Sequence, residues 1–430
     1  SASEFAKGIV AETSNRDMGS GAGGNILVEV GTLQMINGAA VTAGSGGFGP
    51  SGELRINAES VEVKSGARIS VSTDSTGIAQ GLTVLADHVL VDGAGIRPTG
   101  IFSSSGKDAN AQGEPGSVSI DARLVEVLNA GEISATTFGQ SKGGDVIITA
   151  DQLDVNDLNT GNFTSVRAQA WARGDAGDIF IIADVLNVIG GDVSGSTFST
   201  GEGGAITIDA GQIHLETSDG RWANDKSYSG IHAGAHNRGG ISEGNAGDVT
   251  ITADSLTLIN RGIISARTDG IGKGGDILID VDQLELLDRG RIIATTRGQG
   301  AGGTVIVNAS DILILVSDNA ESDEKFVSSG GIEVNSRNDK DASAPGNAGS
   351  ATIIASTLTI DTALGFRPGG IFANTISPVG GSAGNLTIDV VDLTLRGQSQ
   401  ILASTSANGN AGSLFVSAEN LNVEGTNGAA

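Results

Sequence analysis

The 430-residue sequence predicts an all-β fold, a right-handed parallel β-helix of about 13 coils with three short strands per coil and loop insertions. Three observations carry that prediction. One pattern recurs along the whole chain, its segments alternate apolar and polar residues, and glycine separates them. The 67 glycines do not recur at every third position and stand beside only 6 prolines, which excludes collagen. Hydrophobic residues make up 38% and charged residues 17%, so apolar burial offsets chain entropy and Gly-rich disorder is disfavoured.

The recurring unit is a small residue, a glycine and a polar residue, followed by an alternating apolar run. Gly275-Asp276-Ile277-Leu278-Ile279-Asp280 and Gly144-Asp145-Val146-Ile147-Ile148-Thr149-Ala150 show it. Its first strand position recurs 13 times between Ile26 and Leu414; six of the twelve spacings are 28 residues and none is below 27. A floor with occasional additions describes a fixed unit carrying insertions. Within one unit, Asp276–Asp280, Gln283–Leu287 and Arg291–Thr296 each alternate at period two, as strands with one inward face do. Turn residues separate them and leave no room for a helix. Three strands per unit, each stacked on its equivalent in the next unit, make a solenoid. With neighbouring coils ~4.8 Å apart, thirteen of them predict a rod of roughly 60 Å.

Glycine suits the corners because it tolerates positive φ and close backbone approach. The insertions are expected near 93–113, 156–175, 217–243, 317–345 and 362–380, in a single β-helical segment spanning 1–430. Ser1 stands where a Met would begin a chain, and both ends fall inside a coil, so an internal segment of a longer protein is expected.

The unit L-x-L-x-x-x-G-x-I-x-A-x-T-x-G-x-G-x-G-G-x-I-x-I resembles the filamentous haemagglutinin-like exoproteins of two-partner secretion systems, most of all their cyanobacterial members. Leu256 and Leu258, then Gly262, Ile264, Ala266, Thr268, Gly270, Gly272, Gly274, Gly275, Ile277 and Ile279 carry the match. The resemblance covers the chain through its repeats. It implies export through an outer-membrane partner transporter, a secreted or bacterial cell-surface location, and adhesion to glycans or cell-surface proteins. A repeat of this kind specifies architecture better than ligand.

Charge narrows the partners. Fifty acidic residues against 25 basic ones give a net charge of −25, which argues against nucleic acid. No run of about 18 apolar residues is present, so no helix is expected to insert in a membrane. With no cysteine, thiolate catalysis and Cys-zinc sites are excluded.

An enzyme on this scaffold, a polysaccharide lyase or hydrolase, is the competing class, but no catalytic residues emerge. The four histidines sit in no G-H-G element, and only His232 and His236 are close. On a strand they would share a face ~13 Å apart, too far for one metal; a solvated pair on a loop edge is expected. Three G-x-S-x-G matches, centred on Ser141, Ser242 and Ser382, lack the strand-turn-helix context of a nucleophile elbow. The G-x-G-x-x-G matches precede strands and are read as corners.

Two acidic ladders remain: Asp145, Asp178, Asp248 and Asp276 at one repeat position, and Asp121, Asp209, Asp280 and Asp389 at another. Stacked like charges require screening, so calcium is the alternative to a solvated acidic face. No other cofactor is called for. Arg173-Gly174-Asp175 is an R-G-D tripeptide in a turn, a context suited to receptor recognition but also ordinary turn composition. Trp222, Tyr228, His232 and His236 concentrate in 217–243 and are the candidate glycan or protein contacts, since exposed Trp and Tyr favour both. The leading expectation is an adhesin segment without catalysis, with a purely structural spacer as the alternative.

Overall fold

The computed structural model describes residues 8–13, 21–74, 76–106, 112–157, 163–217, 229–236, 243–317, 330–337, 346–362, 368–376, 380–406 and 408–425. The protein is an all-β parallel β-solenoid of about 11 turns, and the described residues contain no helix. It forms two compact units, one built on residues up to Ile208 and the other on Asp209–Thr217 and the described residues from 229 onward.

In the first unit one sheet stacks Ile26–Met35, Leu54–Lys64, Leu82–Asp92, Val118–Leu128, Val146–Asn156 and Ile179–Ile189 in parallel. A second sheet stacks the shorter strands Ala40–Ser45, Arg68–Thr73, Thr99–Ser105, Gly131–Thr137, Ser165–Arg167 and Asp192–Ser194. The second unit repeats the scheme. Its long strands run from Val249–Ile259 to Leu414–Gly425, and its short ones from Gly230–His232 to Gln400–Leu402.

Thirteen coils of three strands is a finer count than the structure supports, and the strands show why. The first two expected segments are one strand of 11 residues, as in Ile277–Leu287. The expected turn between them is a phase slip. In Val146–Asn156 the buried positions are Val146, Ile148 and Ala150, then Leu153 and Val155, so Asp151 and Gln152 both face outward. The ladder pairs Ala150 with Ala183 and Gln152 with Val185 but skips Asp151. The inner faces interlock aliphatics; Ile148, Leu153 and Ile179 are fully buried, and each such side chain contributes about 1.5–3 kcal/mol of burial.

The corner after the long strand is a tight turn with two left-handed residues. Asn260 and Arg261 have φ of 50° and 69°, and Asp288 and Arg289 have 44° and 72°. Gly262 N donates to Ile259 O and Gly290 N to Leu287 O, both at 2.9 Å, closing the turns in the manner of type I′. At the other corner the backbones of successive coils touch: a Cβ on Gly303 would overlap the carbonyl of Gly275. The Thr of the repeat works beside it. Thr268 is buried on the inner face, and its hydroxyl accepts the amide of Gly270 at 3.3 Å; Thr296 does the same for Gly298.

The stretches expected as insertions are narrower than the sequence suggests, because each contains a short-sheet strand. Thr99–Ser105 lies within 93–113, Ser165–Arg167 within 156–175, and Gly230–His232 within 217–243. Gly331–Glu333 and Gly370–Phe372 lie within 317–345 and 362–380. Strands only three residues long, such as Ser165–Arg167 and Gly331–Glu333, hold a single inward side chain and give no period-two signal.

Candidate functional site

The corner carboxylates have a structural task that the sequence did not reveal. Asp145 Oδ1 accepts the amide of Asp178 at 2.9 Å, and Asp178 Oδ1 accepts that of Ala205 at 2.9 Å. In the second unit Asp248 Oδ1 receives Asp276 N and Asp276 Oδ1 receives Thr304 N, both at 2.7 Å. Asn25 and Asn385 serve Glu53 and Ser413 in the same way. A parallel row three residues earlier uses Asp175 for Glu202 N and Asn245 for Lys273 N. Each side chain caps the next coil, so the solvated acids of the first ladder also have backbone partners.

Lysines partner these acids. Lys142 Nζ lies 2.8 Å from Asp178 Oδ2, and that hydrogen bond raises the lysine pKa above its ordinary value, against the effect of burial. At Asp276 burial pushes the carboxyl upward, but the Thr304 amide and the Lys273 ammonium outweigh it and hold the pKa low. The second ladder is not a stack of like charges. Register places Asp280 between Thr252 and Asn308, and Asp389 between Ile354 and Ser417. Among the described residues no three His, Asp or Glu side chains gather as a metal ion would require.

The R-G-D tripeptide occupies one of these corners. Arg173 and Asp175 are exposed, but Gly174 is buried against the Ser141 carbonyl and the Asp175 carboxylate holds Glu202 N. Ser141, the first of the three G-x-S-x-G serines, donates its hydroxyl to the Gly113 carbonyl. Trp222 and Tyr228 lie outside the described residues. His232 ends the strand Gly230–His232, and His236 follows Ala235, which bridges to Thr268. Both histidines are half-buried, and His236 Nδ1 is 3.5 Å from Asp269 Oδ2, so they belong to the short-sheet ladder rather than to a loop edge.

A polar and aromatic group lies in the first unit, on the outer face of its short sheet. Val166 points inward and is fully buried, so Ser165 and Arg167 face the other way. Register sets Ser165 beside Glu132 and Asp192, and Arg167 beside Ser134 and Ser194. Arg167 Nη1 is 3.9 Å from Glu132 Oε2, and its Nη2 is 3.8 Å from Asp192 Oδ1. Arg97 Nη2 donates to the same Glu132 oxygen at 2.6 Å. Both guanidiniums approach the Phe163 ring, at 6.0 Å for Arg97 and 5.4 Å for Arg167. Gln169 Nε2 donates to Ser194 Oγ at 2.7 Å.

Two residues beyond Gln169, Trp171 stacks between Phe138 and Phe198, with centroid separations of 6.4 and 4.6 Å. Sequence reasoning missed this group, though one signal was available. Phe138, Trp171 and Phe198 are spaced by 33 and 27 residues, the same intervals as the repeat positions Val146, Ile179 and Ile206. Arg97, Glu132 and Asp192 carried no such mark.

Scans against protein-family models, curated proteins and solved structures return no match.

Proposed function

We propose that this chain is a non-catalytic adhesive segment of a secreted or surface-displayed protein, making contact with glycans or cell-surface proteins. The observation that carries the reading is the division of labour among polar side chains. Corner carboxylates and amides are spent on capping the next coil, whereas Arg97, Glu132, Arg167, Asp192 and Phe163 gather on one outer sheet face. The repeat resemblance supports export through an outer-membrane partner transporter. On the same reading the repeat counts as thirteen coils of three β segments, the first two sharing one strand.

The test is attachment. Beads carrying the purified chain are expected to hold to bacterial or host cells, or to immobilised glycans, above beads carrying an unrelated acidic protein. Equal retention on both would reject adhesion and favour the spacer. Depolymerisation of an acidic polysaccharide by the chain, lost on mutating one acid, would instead favour the lyase or hydrolase.

A further inference from the structure

We propose that the outer face of three neighbouring long strands in the second unit docks a basic, amphipathic polypeptide segment. Leu278, Ile306 and Ile354 receive its apolar side chains, and a cavity lined by Glu285 and Asp311 receives a Lys or Arg. The inference rests on the adhesive reading and deepens it, giving it one surface and a protein partner of stated chemistry.

The first argument is exposed apolar surface. Leu278, Ile306 and Ile354 are 39%, 37% and 47% exposed. They are contiguous: Leu278 and Ile306 are register partners on adjacent coils, and Ile354 stands two residues beyond Thr352, the partner of Ile306. Single exposed aliphatics are ordinary, whereas a contiguous group is what contact surfaces present. The fold does not require aliphatics there, since Thr250, Thr352 and Thr387 occupy the same repeat position as Leu278 and Ile306.

The second argument is charge. The strands Ile277–Leu287, Thr304–Leu315 and Ser350–Asp361 contain no Lys, Arg or His, and Asp280, Asp282 and Asp311 are exposed on them. Lys273, at the corner before the first of these strands, is paired with Asp276 at 3.0 Å. An apolar patch flanked by acids is complementary to a partner that presents apolar and basic side chains together.

The third argument is shape. The same strands frame a cavity of about 250 Å³ whose lining includes Gln283, Glu285, Asp311, Leu313 and Thr357. That is below the ~300–1,000 Å³ of a drug-sized pocket and suits a single side chain. Thr357 Oγ1 donates to Asp311 Oδ1 at 2.6 Å and Thr257 Oγ1 to Glu285 Oε2 at 3.4 Å, which orients both carboxylates. Each keeps acceptor sites for an ammonium or guanidinium. Ile306 and Asp311 lie on one strand, separated by about 16 Å at ~3.3 Å per residue. A small free amine does not bridge the apolar patch and the cavity, whereas an extended peptide of about five residues does.

The experiment uses the whole chain and three labelled peptides of about 10 residues, alternating Lys-Leu, Lys-Ser and Glu-Leu, titrated by fluorescence anisotropy at about 150 mM salt to screen long-range attraction. Saturable binding of the Lys-Leu peptide, and of neither other, is expected. The pairs Leu278→Thr with Ile306→Thr, and Glu285→Gln with Asp311→Asn, should each weaken it about fivefold or more. Asp151→Asn with Asp184→Asn, which removes two exposed acids from the first unit, should leave it within about twofold. All the replaced side chains lie on outer faces, and far-UV circular dichroism confirms that each variant folds. Equal weakening by the two charge-removing pairs, or a Lys-Ser peptide bound as tightly as Lys-Leu, would reduce the effect to bulk charge and overturn the site, as would no binding at all. If beads still attach to cells in those cases, the site fails and the adhesive reading stands. If the peptide binds as expected but no beads attach, the docking surface stands and the adhesive reading fails.

Discussion

At the scale of single residues, the corner acids are acceptors first and charges second. Asn25 and Asn385 do what Asp145 and Asp248 do, so the carbonyl-type oxygen is the required feature. Asp248→Asn should therefore change stability by less than about 0.5 kcal/mol, whereas Asp248→Ala leaves Asp276 N–H unpaired and should cost about 1 kcal/mol. Denaturant unfolding of the two variants checks this; equal losses would mean that the charge matters instead. Asp276 adds a pH dependence, since its carboxyl is held low by Thr304 N–H and Lys273 against the effect of burial. A carboxylate depressed in the folded state contributes stability that is complete above the unfolded value of about 3.9 and is lost as pH falls through the folded value. The melting temperature should drop below about pH 4, and Asp276→Asn should make that drop shallower. Lys142 has the opposite sign, because its raised pKa makes a contribution present at neutral pH and lost only as pH climbs through the folded value.

At the scale of the elements, the period-two pattern was legible and the connections were not. Val146–Ile148 and Gly275–Ile279 announced their strands because each inward residue is aliphatic and each outward one is Ile, Thr, Leu or Asp. The break at Asp151 looked like a turn because two outward residues in succession interrupt the alternation, yet the strand continues past it. Strands of three residues, such as Ser165–Arg167, carry one inward side chain and so no period at all. The candidate site was illegible for the same reason. Arg167, Glu132 and Asp192 are up to 60 residues apart in sequence and meet only through inter-coil register. The strand face itself is testable. Ile148 is fully buried and its neighbour Ile147 is 38% exposed. Ile148→Ala should cost about 2–5 kcal/mol by opening a cavity, and Ile147→Ala less than about 0.5 kcal/mol. Similar losses in denaturant midpoints would contradict the assigned register.

At the scale of the whole molecule, two facts act together: rows of buried aliphatic side chains that repeat along the described strands, and a net charge of −25 on the sequence. Stability in a solenoid is the sum of the coils and their nearest-neighbour contacts, so the charge is free to serve solubility and partner choice. An excess of acids repels polyanions at every approach, and a polyanion bound through Lys and Arg must release counterions, which makes its affinity fall steeply with salt. A neutral saccharide held by hydroxyl contacts releases none. The chain should therefore give no measurable binding to duplex DNA or to a sulfated polysaccharide at about 50 mM salt, the condition most favourable to such binding. If the proposed adhesive contact is a neutral glycan, its affinity should change less than threefold between about 50 and 200 mM salt, over which a protein making several phosphate contacts loses roughly a thousandfold or more. Calorimetric titration at the two salt concentrations measures both. Tight binding to the sulfated polymer that collapses at the higher salt would place the contact on a basic patch and overturn this reading of the acidic surface.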